Sequence, residues 1–141
     1  FQLAIADLLT NNIKSDKFIV FKAKNYDSSI SNVNGDVYFI KRVIATEGQT
    51  VDIDFARGIV YVNGEPIEEP YKKEQFIIPK MDDIDFPYTV PEGHLFCMGD
   101  NRNGSTDSRS HLVGPVDERE ILGKAVLRIL PFGDADIYSY E

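Results

Sequence analysis

The chain has one cysteine, two histidines and no stretch of about eighteen consecutive apolar residues. Cys97 alone allows no intrachain disulfide and no cysteine-rich zinc site. It sits inside the apolar run HLFCM and reads as a buried core thiol. His94 and His111 have no partner at metal-ligand spacing and read as structural or surface residues, so neither a metal nor a cofactor is expected. Without a long apolar run there is no helical membrane span, and no signal-peptide pattern opens the chain. The chain begins instead inside an apolar segment, FQLAIA, with no initiating methionine, as a piece of a longer protein would. Basic clusters are missing too. Lys and Arg number 15 against 23 Asp and Glu, a net charge of −8. Such a surface repels a phosphate backbone, so no nucleic-acid partner is expected.

What is present is strand-forming sequence. The 141 residues, 43% of them hydrophobic, suffice for one domain with a core. FIVFK at 18–22, VYFIKRVI at 37–44, QTVDI at 49–53, GIVYV at 58–62, HLFCM at 94–98 and KAVLRI at 124–129 read as strands, the last ended by Pro131 and Gly133. Asn63-Gly64 supplies the positive φ angles of a hairpin turn. VDEREIL at 116–122 has room for one or two helical turns, and no other segment has a useful helical period. The polar stretch 25–35 reads as a connector between paired strands. Residues 65–92 are long, acidic and proline-rich, and carry Tyr71, Phe76, Phe86 and Tyr88; they read as a small inserted flap or hairpin. The expected fold is therefore one mostly β domain over 1–141, built from coiled antiparallel sheets, with the flap inserted.

Two features call for chemistry. Lys41 lies in YFIKRVI with Phe39 and Val43 at same-face spacing, so it points toward an apolar face and Arg42 points away. On an edge strand such a lysine guards against aggregation. On a buried strand it neutralises or finds a partner, since full burial lowers a lysine pKa by up to ~3–5 units, and a neutral amine is a general base. The second feature is GDNRNGSTDSR, 99–109, directly after the apolar run. Ser105 is suited to hold the Lys41 amine in line. Asp107 and Arg109, two apart, are placed to form a bidentate pair, and Asp100 and Arg102 repeat that spacing. Gly99 and Gly104 allow close backbone approach and unusual φ angles. A polar, salt-bridged loop with no catalytic part is the plain alternative.

These stretches resemble the type I signal peptidases, membrane-anchored serine proteases with a Ser-Lys dyad. VPEGHLFCMGDNRNGSTDSR, 90–109, is similar to the family's most distinctive box, IKRVIATEGQTV, 40–51, to its lysine box, and GPVDEREILGKAVLRILPF, 114–132, to its closing segment. The resemblance implies that Lys41 is the general base and Ser105 the serine bonded to it. It makes Asp107 and Arg109 the supporting ion pair, and Gly99, Asp100, Asn101 and Arg102 the turn beneath. Ala45, Glu47 and Gln49 depart from the family's glycine, proline and aspartate, which implies altered turn geometry after the base. The family's nucleophile sits in Ser-Met-x-Pro-Thr, and no Ser-Met occurs here. DLLTNN, 7–12, is similar to the segment following that motif. The nucleophile segment is therefore expected to be missing at the join Ala6-Asp7, with a second shortening near Lys17-Phe18. By the same resemblance the fold is of the signal peptidase type, closer to Gram-positive members. The protein would hang from an N-terminal transmembrane helix on the outer face of the plasma membrane, touch lipid, and cut signal peptides from secreted preproteins without a cofactor. The rival readings are a serine-less homologue that assists assembly of surface proteins or pili, a self-cleaving regulator, and an unrelated β domain.

Overall fold

The structure is a computed structural model that describes residues 2–5, 17–23, 37–72 and 74–128. Its strands are β1 (Gln2–Ile5), β2 (Phe18–Lys22), β3 (Tyr38–Thr46), β4 (Thr50–Asp54), β5 (Ile59–Val62), β6 (Glu65–Pro66), β7 (Tyr88–Thr89), β8 (His94–Met98), β9 (Val116–Asp117) and β10 (Ile121–Arg128). They form a six-stranded sheet in the order β1-β10-β2-β3-β8-β9 and a four-stranded sheet in the order β6-β5-β4-β7, every pairing antiparallel. The mostly antiparallel β class read from the sequence is the one found. Among the described residues no helix is long and apolar enough to cross a membrane.

β3 organises the larger sheet. On one side it pairs with β2 from Phe18↔Arg42 to Lys22↔Tyr38. On the other it pairs with β8 from Arg42↔Met98 to Thr46↔Leu95, with a register shift between Val43 and Ala45. Such a shift puts an extra residue in one strand and re-aims the side chains beyond it. Before it, Phe39, Lys41 and Val43 share a face with Ile19, Phe21, Leu95 and Cys97, one of the two buried clusters. After it, Ile44 and Ala45 belong to the second cluster, with Val51, Ile53, Val60, Phe96 and Met98 between the two sheets.

Asn63, at φ 52°, and Gly64, at φ 81°, turn β5 into β6 as expected. The stretch 116–122 holds only a single 3-10 turn, Glu118–Glu120, capped by the Asp117 carboxylate on Arg119 N–H, before β10 starts at Ile121. Connector 25–35 lies outside the described residues.

Residues 65–92, read from the sequence as a small inserted flap or hairpin, run from β6 to β7. β6 and β7 occupy opposite edges of the four-stranded sheet, so the chain between them crosses the molecule as a strap. Ile77 and Ile84 sink into the inter-sheet core and pin it. Its backbone then runs along the 99–111 loop, with Ile78 N–H on Asn103 Oδ1 at 2.8 Å, Ile84 N–H on Arg109 O at 2.7 Å and His111 N–H on Asp82 O at 2.8 Å. At the β4–β5 turn the strap passes so close that a Cβ on Gly58, at φ +66°, would stand 3.0 Å from the Gln75 backbone.

Candidate active site

Lys41 stands in the middle of β3 and is fully buried. Its register partner across β2 is Ile19, and its amine lies 5.0 Å from the centroid of the Phe39 ring. The Lys41 Nζ donates to Ser105 Oγ at 2.7 Å. Ser105, 3% exposed, comes from the loop after β8, 64 residues along the chain. That loop is stitched back onto β8: Ser108 N–H donates to Cys97 O at 3.0 Å, and Cys97 N–H donates to Ser108 Oγ at 2.9 Å.

Asp107 and Arg109 form the buried bidentate pair that their spacing suggested, with Nε on Oδ1 at 2.8 Å and Nη2 on Oδ2 at 2.7 Å. Asp107 also accepts from Gly99 N–H at 2.9 Å, tying the two ends of the loop together. Burial by itself would raise the Asp107 pKa. The Arg109 guanidinium, through charge and hydrogen bonds, reverses this with help from the Gly99 N–H, and the carboxyl ends below its usual range. Burial opposes the charge on Arg109 as well, and Asp107 overcomes it, so the guanidinium is held more firmly protonated. Arg109 Nη2 further donates to Arg102 O at 2.8 Å and, at 3.5 Å, to Ser105 O. Burial drives the Cys97 thiol far above its ordinary pKa, with the Asp107 charge adding to the rise, so this cysteine is a core residue of low reactivity.

Asp100 and Arg102 do not repeat that pairing. Arg42 projects from the opposite face of β3 to Lys41, beside its register partner Met98, where the chain leaves β8. It therefore meets Asp100 first, with Nε on Oδ1 at 2.8 Å and Nη2 on Oδ2 at 2.9 Å. Arg102 folds back under its own turn, Nε donating to Gly99 O at 2.9 Å, and pairs with Glu69 of the strap in a fully dry ion pair. The Arg42 guanidinium carbon lies 3.6 Å from the centroid of the Tyr71 ring and 4.3 Å from that of Phe18. Arg42, Glu69 and Tyr71 are thus part of the site's framework, and the sequence reading gave them no role. The one signal for them was the need of a buried arginine for a carboxylate, and the acidic EEPY stretch offered one.

The glycines also differ in part. Neither Gly99 nor Gly104 takes a positive φ. Gly104 packs against the Asn101 side chain, whose Nδ2 would stand 2.8 Å from a Cβ there and would have to give way, and its N–H donates to Asn101 O at 3.2 Å. The join Ala6-Asp7 lies outside the described residues. At Lys17-Phe18 the chain runs directly into β2, Lys17 O accepting from Val43 N–H at 2.8 Å. Among the described residues no group of three or more His, Cys, Asp or Glu is placed to hold a metal ion.

The family model described as signal peptidase, peptidase S26, matches residues 4–130. A probable signal peptidase I-1 of Synechocystis sp. is 44% identical over 95 residues, 66% of this chain and 43% of that protein. Signal peptidase I of Bacillus amyloliquefaciens is 37% identical over 132 residues, 84% of this chain and 67% of that one. A solved signal peptidase I from Enterococcus faecalis V583 has a TM-score of 0.60 at 26% identity, covering 84% of this chain and 98% of the other. The chain thus spans less than half of the Synechocystis relative and about two thirds of the Bacillus one. With a match that runs through every described strand from β2 to β10, and a fold shared with a solved relative, this chain belongs to the signal peptidase family, peptidase S26.

Proposed function

We propose that this chain is the catalytic domain of a type I signal peptidase, a serine endopeptidase that releases exported preproteins, with Lys41 as general base. The observation that carries the reading is the fully buried Lys41 amine, 2.7 Å from Ser105 Oγ on an otherwise apolar face. Full burial disfavours an ammonium and favours the neutral amine. The Asp107 carboxylate is already engaged by Arg109, which weakens its hold on a proton at Lys41. In this reading a serine hydroxyl, for which no residue number is offered, attacks the carbonyl after a small residue. Lys41 takes the hydroxyl proton and passes it to the leaving amine as the C–N bond breaks. Water then hydrolyses the acyl-enzyme by the reverse use of the same amine. Ser105 orients Lys41, and the Asp107–Arg109 pair holds the Ser105 loop. Gly99, Asp100, Asn101 and Arg102 form the turn that supports it. Backbone N–H groups stabilise the oxyanion.

The substrate class is the Ala-x-Ala-like end of a signal peptide, added to a strand edge with its small side chains in shallow pockets. The names of the relatives support that class. The protein acts on the extracytoplasmic side of the plasma membrane, in contact with lipid. Three exposed apolar residues of the strap, Phe76 at 53%, Ile78 at 52% and Met81, support a lipid-facing surface. The test is to incubate the full-length gene product with a secreted preprotein and sequence the new N-terminus. A single cut after a small-x-small motif is expected. An intact preprotein, or cuts scattered through it, would overturn the reading.

A further inference from the structure

We infer that Glu69 and Tyr71 of the strap are positioning residues for the Lys41–Ser105 pair. The inference rests on the peptidase reading for its catalytic meaning, and on geometry alone for its structural content. Lys41 and Arg42 are consecutive in β3 and project from opposite faces, so a shift of the Arg42 side chain and backbone carries Lys41 with it. The Arg42 guanidinium is held by Asp100 through two hydrogen bonds and lies against two rings, 4.3 Å from the Phe18 centroid and 3.6 Å from that of Tyr71. Phe18 belongs to the same sheet, being the register partner of Arg42, whereas Tyr71 comes from the strap.

Glu69 acts on the same turn at Arg102, two residues after Asp100. Arg102 is fully buried, and its ion pair with Glu69 joins side chains 0% and 2% exposed. Its Nε holds Gly99 O, and its own carbonyl accepts from Arg109, the residue that grips Asp107 and reaches Ser105 O. A continuous set of charge-assisted bonds therefore runs from Glu69 through Arg102 and Arg109 to the backbone of Ser105. A buried ion pair adds little net stability over an apolar contact of the same volume, but it fixes direction, and removing one partner strands the other charge. Arg102 Nη1 already has no hydrogen-bond partner, so Arg102 has nothing in reserve if Glu69 is lost. The Tyr71 hydroxyl faces Glu69 Oε1 at 3.5 Å, which ties the two strap residues together. Both are needed for one outcome: a Ser105 hydroxyl that stays 2.7 Å from the amine.

The experiment compares Glu69→Ala, Tyr71→Leu and Tyr71→Phe with the unsubstituted full-length protein. Lys41 is labelled with a small amine reagent and the rate is read by mass spectrometry of the native protein, while amide hydrogen exchange is followed in β4 and β5. These strands lie in the other sheet, with Val51, Ile53 and Val60 in its core, and report opening of the whole domain. Expected is labelling of Lys41 at least ~10-fold faster in Glu69→Ala and Tyr71→Leu, with β4 and β5 exchanging as slowly as before. Tyr71→Phe, which keeps the ring against Arg42, leaves Lys41 protected. In preprotein cleavage the first two variants lower kcat with KM unchanged. Equal rises in Lys41 labelling and in β4–β5 exchange, which mark a merely structural role, would overturn the inference, and so would unchanged Lys41 labelling. If the unsubstituted protein cleaves no preprotein, the peptidase reading falls, while the labelling rates still decide whether the strap positions the pair.

Discussion

Asp107 is the residue on which the site's charge balance turns. It is a fully buried carboxylate whose pKa is held below the ordinary range, against the pull of burial, chiefly by Arg109 and also by the Gly99 N–H. A carboxyl depressed on folding contributes stability that is fully present above its unfolded pKa of about 3.9. That contribution is lost as pH falls through the folded value. Asp107→Asn leaves Arg109 buried and unpaired, and breaking such a pair costs about 3–5 kcal/mol. Urea unfolding should therefore show a large gap between wild type and Asp107→Asn at pH 7. The gap should narrow steadily on acidification below about pH 4. A gap of the same size at every pH would mean that the lost interaction is not electrostatic. At this scale the sequence was partly legible. Lys41, Ser105, Asp107 and Arg109 could be singled out because a charge in an apolar strand and a dense polar turn are anomalies of local pattern. The partner of Asp100 could not, because Arg42 lies 58 residues away and reaches it only through the β3–β8 register.

Among the elements, β3 and β8 were legible as strands, and their pairing and the strap were not. YFIKRVI announces itself by β-branched and aromatic content, and HLFCM by a short apolar run around Phe96. Residues 67–87 have no alternation to read. Their path is set by Ile77 and Ile84 in a core made mostly by other strands, and by hydrogen bonds to Asn103, Arg109 and His111. Non-local contacts of that kind leave no local period. Gly58 is where the strap and the β4–β5 turn meet most tightly. Gly58→Ala combines a left-handed φ, unfavourable by about 1–2 kcal/mol, with a Cβ pressed against strap backbone, an overpacking of about 1–3 kcal/mol. A loss of roughly 2–4 kcal/mol in urea unfolding is expected on these grounds. A neutral substitution would show that the strap yields easily at this crossing.

Across the molecule, apolar surface and charge pull in different directions. The net charge of −8 gives no attraction to anionic lipid, so contact with a membrane must be made by apolar side chains. Phe76, Ile78 and Met81 are the exposed large apolar residues of the strap, and Ile77 anchors the stretch between them in the core. Serine at all three positions should lower the share of the protein that sediments with zwitterionic vesicles by about 10-fold, as expected from losing a few kcal/mol of buried apolar contact. Unchanged sedimentation would contradict a lipid contact through the strap. The central claim, however, is that one buried amine carries the proton. It is tested most directly by preprotein cleavage with the full-length Lys41→Met variant, which keeps the length and burial of the side chain and removes the amine. A fall in kcat of about 10²–10⁴-fold, with unfolding in urea no earlier than wild type, is the expected result. Cleavage at the wild-type rate by a folded Lys41→Met protein would contradict it.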